Sequence, residues 1–335
     1  MLWSSSRGNC SVRGELAGTH ARVRVLFYQD GDGARSWLDA LAAALPEAQV
    51  REWMPGDEAP ADYALVWKPP AEVLQRRAGL KAVFNLGAGV DAVLAFLDAH
   101  PDVLSERVPL IRLEDAGMAM QMSHYVCAAA LRHFRGFDEY ARRQRDVSWQ
   151  PIAPRDPASH RCGVMGAGLL GTAVARSLSD LGFSVRAWRR SAELLDGIVT
   201  FNGPHRLDDF SAGLDMVVNL LPLTAETHNI LARPLFERLN RGALVINVGR
   251  GAHLVEEDLL AALDSGQVGH AVLDVFRQEP LPSEHVFWRH PKIAVTPHVA
   301  ATTLIGPSVR QIADKIRRLE IGEAVSGIVP RKRGY

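Results

Sequence analysis

Two short, almost wholly apolar segments constrain the fold most strongly: MVVNLL at residues 216–221 and ALVINV at residues 243–248. Runs of this length and composition are typical of parallel strands that are buried on both faces of a sheet. Further strand-like runs lie at 162–165, 184–188, 270–275 and 293–296, and a helical pattern covers 169–181. Strands that alternate with helices predict an α/β fold built on a parallel sheet.

The first part of the chain repeats this alternation. Strands are predicted at 22–28, 64–67 and 81–86, and an Ala- and Leu-rich helix at 34–45. Residues 118–145 have the pattern of one long helix connecting two units, and 304–321 that of a closing helix. With 335 residues, the chain is long enough for two domains of ordinary size.

Charge and apolar content exclude some classes of partner. Lys and Arg together number 38, as do Asp and Glu, so the net charge is zero and neither a nucleic-acid nor a membrane partner is expected. No apolar run reaches the ~20 residues that a bilayer span needs. Residues 1–21 lack the apolar core of a secretory signal and are expected to be a disordered extension.

The cysteines and histidines suggest neither a metal site nor a thiol nucleophile. Cys10, Cys127 and Cys162 are far apart, and no C-x-x-C, H-x-x-x-H or H-E-x-x-H pattern is present. The three thiols are interpreted as spectators in a reducing compartment, so a cytoplasmic location is expected.

A candidate dinucleotide-binding motif, GAGLLG at residues 166–171, follows an apolar strand and opens a helix. Gly166 would permit the tight turn, Gly168 would let backbone amides approach a pyrophosphate, and Gly171 would let helix and strand pack closely. Phosphate would then bind at the helix N-terminus, which Leu169 and Leu170 begin.

The end of the next strand indicates which dinucleotide is bound. An NAD site usually has an acidic residue there, which binds the ribose 2′-hydroxyl. Here the strand ends in Trp188, Arg189, Arg190 and Ser191, and the nearest carboxylate, Glu193, comes later. Two guanidinium groups and a hydroxyl suit a 2′-phosphate, so NADP(H) is the favoured cofactor and NAD(H) the alternative.

Three residues near the C-terminal end suggest the chemistry: Arg250 in NVGRG, Glu279 in DVFRQEP and His298 in TPHVA. Arginine can hold a substrate carboxylate with a two-pronged fork. Histidine can donate a proton to a developing alkoxide, and a carboxylate can orient that imidazole. Each lies where a strand or a loop ends, and together they predict the reduction of a 2-keto acid.

These motifs, with ALVWKPP at 64–70 and LGAGVD at 86–91, resemble the D-isomer-specific 2-hydroxyacid dehydrogenase family over residues 22–335. The similarity is greatest to bacterial members that reduce glyoxylate and hydroxypyruvate. It implies a flavodoxin-like substrate domain (22–123, with 299–335 returning to it), a doubly wound dinucleotide-binding domain (124–298) and a cleft between them. It also implies a homodimer associating through the cofactor domains and the segment 124–150.

The resemblance implies a role for each matching residue. Arg250 would bind the substrate carboxylate and carbonyl, His298 would be the general acid in reduction, and Glu279 would be its partner. The remaining residues would contact substrate or cofactor: Trp67, Gly87, Ala88 and Gly89 the keto acid, and Leu221, Pro222, Val248 and Asp274 the dinucleotide. One small departure is that Gly249 stands where alanine is often found.

Two alternatives remain open at this point. A lactate-type enzyme that uses NAD would share the site but not the arginine pair at 189–190. A non-catalytic dinucleotide sensor, or a corepressor-like protein, would share the fold but would not need the proton donor His298.

Overall fold

The computed structural model describes residues 22–331 except 76 and 78. The expected extension at 1–21 and the thiol of Cys10 therefore lie outside the described residues. Within the described part, the chain forms two parallel sheets flanked by helices.

The first sheet has five strands, and its order is that of flavodoxin-like folds. It consists of β1 (Arg24–Gln29), β2 (Gln49–Glu52), β3 (Tyr63–Trp67), β4 (Ala82–Asn85) and β5 (Leu110–Arg112), in the order β2-β1-β3-β4-β5. Every neighbouring pair is parallel. The helices connecting them are α1 (Ala34–Ala44), α2 (Ala71–Leu74) and α3 (Asp91–Ala99).

Two helices lead from the first sheet to the second: α4 (Met118–Phe134) and α5 (Phe137–Arg145). Met118 packs in the core of the first sheet, whereas Met122, Val126 and Phe134 pack in that of the second. The predicted single helix over 118–145 is therefore wrong in one respect. The chain bends at Gly136, whose φ of 67° is a left-handed conformation that ends α4 before α5 begins.

The second sheet has seven strands in the doubly wound order with one strand added at the edge. It contains β6 (Arg161–Met165), β7 (Ser184–Arg189), β8 (Val199–Asn202), β9 (Met216–Asn219), β10 (Ala243–Asn247), β11 (Val268–Leu273) and β12 (Ile293–Val295). Their order is β12-β11-β10-β9-β6-β7-β8, so the strand order reverses between β6 and β9. The α/β fold class with two Rossmann-like sheets is thus confirmed.

The helices of this second part are α6 (Leu169–Asp180), α7 (Leu207–Ser211), α8 (Arg233–Phe236) and α9 (Glu256–Ser265). The chain then returns through α10 (Ile305–Glu320). Val309, Ile312 and Ile316 of α10 are buried in the same core as Phe27 of β1 and Leu41 of α1. The last helix therefore packs on the first sheet.

Three strands escaped sequence reasoning for a common reason. β2 and β8 are four-residue edge strands with mostly partly exposed side chains, and β5 has only three residues. None is long enough to show a periodic pattern.

We retain the domain boundaries at 123/124 and 298/299 as a proposal. In the part of the chain described here, no helix combines the length and apolar character that crossing a membrane requires.

Candidate active site

The three residues singled out for chemistry follow three neighbouring strands. Arg250 comes after β10, Glu279 after β11 and His298 after β12, and the sheet order β12-β11-β10 makes these strands adjacent. All pairs are parallel, so their carboxyl ends lie at one edge of the sheet. This edge is where open α/β sheets bind their ligands.

His298 and Glu279 form a direct pair at this edge. Nδ1 of His298 lies 2.8 Å from Oε2 of Glu279, and the other carboxylate oxygen accepts a hydrogen bond from the Phe276 amide at 3.0 Å. An ionised carboxylate only accepts, so Nδ1 carries the proton in this contact. The second ring nitrogen, Nε2, is then the atom that can face a substrate. The imidazole remains about half exposed.

Asp274 holds the segment that carries His298. Its buried carboxylate accepts hydrogen bonds from the hydroxyl of Thr296 at 2.6 Å and from the amides of Val299 and Ala300 at 2.8 Å each. The hydroxyl of Tyr125 in α4 joins Thr296 at 2.6 Å. Asp274 therefore fixes the loop around His298, and its expected contact with the dinucleotide stays a prediction.

Arg250 meets Asp91, the first residue of α3, across the two sheets. Nε lies 3.0 Å from each carboxylate oxygen and Nη2 lies 2.8 Å from Oδ1, while Nη1 donates to the Gly249 carbonyl at 2.7 Å. Burial raises the pKa of Asp91, but hydrogen bonds and charge from Arg250 outweigh it, so the pKa lies below its usual value. One N–H on Nη1 and one on Nη2 remain for a ligand.

The loop after β4 presents free backbone donors beside Arg250. Asn85 binds the carbonyls of Gly87 and Gly89 with its side-chain amide, at 3.0 and 2.9 Å. Among the described residues, no hydrogen-bond acceptor is found for the N–H groups of Gly87, Ala88 and Gly89. Three such donors suit a carboxylate.

Two glycines in this loop permit close approaches that a side chain would block. A Cβ on Gly89 would lie 1.7 Å from Nη2 of Arg250, and one on Gly87 would lie 2.6 Å from the Trp67 ring. Trp67 ends β3 and therefore packs directly on the loop. The expected substrate residues of the first sheet thus lie together, and they lie against Arg250.

The glycine-rich loop after β6 has the geometry of a phosphate-binding turn. Gly166 has a φ of +91°. A Cβ on Gly171 would lie 2.3 Å from the carbonyl oxygen of Gly166, so helix and turn pack closely here. A Cβ on Gly168 would have no atom within 4 Å. The N–H groups of Leu169, Leu170 and Gly171 find no acceptor among the described residues. The N-terminus of α6 is therefore free to bind an anion, and the residues present fit a pyrophosphate.

The other expected cofactor residues lie around the same point. A Cβ on Gly166 would lie 2.7 Å from the Leu220 backbone, which places the loop after β9 against the glycine-rich turn. Leu221 and Val248 are buried there and Pro222 is partly exposed. At the end of β7, Arg189 pairs with Glu193 at 2.7 Å and Arg190 pairs with Glu226, while Ser191 is exposed.

Sequence reasoning missed the residues that hold these groups: Asp91, Asn85 and, behind Arg250, the buried imidazole of His253. Their contacts join residues far apart in the chain, or lie inside a loop without periodicity. Only the LGAGVD motif contained a signal for Asp91.

Within the described ranges, no group of three or more His, Cys, Asp or Glu is arranged to hold a metal ion. Cys162 is buried, which raises the pKa of its thiol.

The architecture and this edge define a two-domain dinucleotide-binding protein, and comparison with known proteins identifies the family. Residues 127–300 match the family model described as D-isomer specific 2-hydroxyacid dehydrogenase, NAD binding domain. The chain is 48% identical over 313 residues to a glyoxylate/hydroxypyruvate reductase A of Yersinia enterocolitica, covering 93% of this chain and 100% of the relative. A Serratia proteamaculans protein of the same name is 49% identical over the same shares.

Comparison with solved structures gives the same family. A D-isomer specific 2-hydroxyacid dehydrogenase from Xanthobacter autotrophicus Py2, in complex with NADPH and MES, superposes with a TM-score of 0.87 at 41% identity, covering 94% of this chain and 100% of that one. An NADPH-dependent glyoxylate/hydroxypyruvate reductase from Sinorhizobium meliloti, with NADP and sulfate, gives 0.85 at 35% identity, covering 93% and 100%. This chain belongs to the D-isomer-specific 2-hydroxyacid dehydrogenase family.

The buried imidazole predicts a pH dependence of stability. Burial is the main cause that lowers the pKa of His253 to about 4, from an ordinary value of 6.5. The unfolded chain therefore binds a proton between pH 6.5 and 4 that the folded chain does not, so this contribution to stability is present above pH 6.5 and is lost on acidification. His253 alone should cost about 3 kcal/mol of unfolding free energy across that window.

Denaturant unfolding at several pH values tests this expectation. His253→Asn, which cannot titrate, should lower the slope of unfolding free energy against pH in that window by about 1.4 kcal/mol per unit, the value for one proton. A variant with the unchanged wild-type slope would contradict a neutral His253 in the folded state.

Proposed function

We propose that this protein reduces small 2-keto acids, glyoxylate to glycolate and hydroxypyruvate to D-glycerate, with NADPH as preferred cofactor and NADH as the alternative. The observation that carries the proposal is that the Arg250 guanidinium lies beside the 87–89 loop, whose amides have no acceptor among the described residues. Both lie at the sheet edge that also holds the His298–Glu279 pair. The names of the relatives support the same two substrates.

Arg250 and the 87–89 loop bind the substrate. The two uncommitted N–H groups of Arg250 and the amides of Gly87, Ala88 and Gly89 converge from two sheets, so they can share the carboxylate and the keto oxygen. Because the fork is held by Asp91, it needs little reorganisation when charge develops on that oxygen. Trp67 walls the site on the side of Gly87 and limits its size.

His298 supplies the proton. Glu279 holds Nδ1, which directs Nε2 toward the substrate oxygen. The hydride to the keto carbon would come from a nicotinamide held in the cleft by the cofactor residues. The Asp274 contacts with Val299 and Ala300 keep the imidazole in place during the reaction.

The cofactor residues would be those of the glycine-rich turn and the β7 end. The amides of Leu169, Leu170 and Gly171 would hold the pyrophosphate, Leu221 and Pro222 would border the adenine and ribose side, and Val248 would also contact the cofactor. Arg189, Arg190 and Ser191 would hold a 2′-phosphate, which would replace the carboxylates of Glu193 and Glu226 as partner of the two arginines. Solved relatives with bound NADPH or NADP support this preference.

A cytoplasmic homodimer completes the proposal. Large hydrophobic side chains in the segment 124–150 are exposed, among them Phe137 by 56%, Val147 by 92% and Trp149 fully. Apolar exposure of this extent on one segment supports association through it.

Initial rates of NADPH and NADH oxidation with glyoxylate, hydroxypyruvate and pyruvate test the proposal directly. Fast NADPH turnover on glyoxylate and hydroxypyruvate is the expected result. Preference for NADH with pyruvate would favour the lactate-type alternative. Tight NADPH binding without turnover on any of the three would favour the sensor alternative.

Replacing the arginine pair should separate the two dinucleotides. Arg189→Ala with Arg190→Ala should weaken NADPH by about 10- to 100-fold, the size of lost hydrogen bonds to a charged group, and NADH little. Michaelis constants for both cofactors give the comparison. Arg241→Ala, at the amino edge of β10, is the matched control. Equal weakening of NADPH and NADH would rule out the 2′-phosphate role.

Removing the proton donor should lower turnover. His298→Ala should lose about 10²–10⁴-fold in kcat with glyoxylate, the usual worth of a general acid, while binding of NADPH persists. The exposed His100, which directly follows α3, provides the control His100→Ala, which should behave as wild type. Near-full turnover of His298→Ala would assign the proton to another group.

A further inference from the structure

His253 is buried directly behind Arg250. It ends the short 3-10 helix Gly251–His253 that follows the arginine, and none of its surface is exposed to solvent. It therefore cannot touch a substrate in the cleft. Its ring nevertheless contacts the backbone on which the guanidinium depends.

The contacts of the ring determine its protonation. Nδ1 lies 3.1 Å from the backbone nitrogen of Arg250 and 2.8 Å from Nδ2 of Asn219. A backbone N–H can only donate, so Nδ1 must be the unprotonated acceptor. Nε2 lies 3.3 Å from the carbonyl of Pro222, which can only accept, so Nε2 carries the proton. These contacts define the neutral Nε2–H tautomer.

The same network joins the substrate and cofactor sides of the cleft. Asn219 also donates to Asn247 at 2.9 Å and accepts from the Leu221 amide at 3.2 Å. Asn247 in turn donates to the Arg250 carbonyl at 3.1 Å. The peptide units on both sides of the Arg250 Cα are thus held by His253 of the 3-10 helix and Asn247 of β10, and Asn219 of β9 bonds both of these side chains.

Gly249 provides the space for this arrangement. A Cβ at this position would lie 2.9 Å from Nδ2 of Asn219 and 3.1 Å from Nδ1 of His253. An alanine would press on both partners of the hydrogen bond that joins them. The glycine, which departs from the alanine often found there, therefore fits the presence of the imidazole.

We propose that neutral His253 is a positioning residue for the reduction: its bare Nδ1 fixes the Arg250 backbone and so aims the guanidinium at the substrate carboxylate. The role rests on the proposed function, because it is exerted through the substrate arginine. His253 itself takes no part in proton transfer.

Two amide substitutions test the role, because each keeps one end of the imidazole. His253→Asn places an oxygen where Nδ1 accepts, and His253→Gln places its amide near Nε2 and leaves the Arg250 and Asn219 donors without their acceptor. The expected result is near-wild-type kinetics for Asn. For Gln, kcat/KM for glyoxylate should fall by about 10- to 100-fold, the cost of a misplaced binding group.

The split between kinetic constants separates positioning from mere loss of stability. In His253→Gln the KM for glyoxylate should rise and kcat should fall, because the Arg250 contact persists into the transition state, whereas the KM for NADPH should change much less. His160→Gln, at another buried histidine, is the control and should leave all three constants unchanged. Equal effects of Asn and Gln, or a Gln variant with wild-type constants, would overturn the proposal.

Nitrogen NMR of the histidine-labelled wild-type enzyme gives a readout that does not depend on turnover. The account expects a His253 ring with an unprotonated Nδ1 and a protonated Nε2 at neutral pH. A proton on Nδ1 would overturn the positioning role. A wild-type enzyme inactive on every 2-keto acid would instead refute the proposed function, whatever the tautomer.

Discussion

The parallel direction of every described strand pair is the constraint on which the rest of the structure depends. Parallel strands bring their carboxyl ends to one edge, so residues distant in sequence meet there without any local motif. The glycine-rich turn after β6, the arginines at the end of β7 and the residues after β10, β11 and β12 all lie at this edge. The first sheet contributes Trp67, the last residue of β3, and the 87–89 loop after β4.

The ion pair between Arg250 and Asp91 links the carboxyl edge of the second sheet to that of the first. A guanidinium held side-on by a carboxylate keeps its plane fixed and retains donors for a second carboxylate. The absence of a Cβ on Gly89 permits the approach of Arg250. The substrate site is therefore formed by contact between the sheets rather than by either one alone.

Much of this organisation could be predicted from the sequence, and the reason is physical. Strands such as β9 and β10 are buried on both faces, so their apolar runs reveal them, and strand order then brings Arg250, Glu279 and His298 to one edge. The pattern could not reveal Asp91, which lies 159 residues from its partner. Nor could it reveal His253, whose isolated imidazole gains meaning only from burial and from the donors around Nδ1. The bend at Gly136 depends on a single left-handed residue within an otherwise helical pattern.

The central claim is that the residues at this edge catalyse the reduction of the keto carbon of a small 2-keto acid and that the chiral product is the D-2-hydroxy acid. The most direct measurement is the reduction of hydroxypyruvate with each of the two NADPH epimers that carry deuterium at C4, followed by NMR of the glycerate to locate the deuterium and chiral chromatography to determine its configuration. The account predicts that one epimer, and only one, yields D-glycerate with deuterium at C2. Glycerate that lacks deuterium with both epimers, or that carries it with both, would contradict the account, and so would L-glycerate.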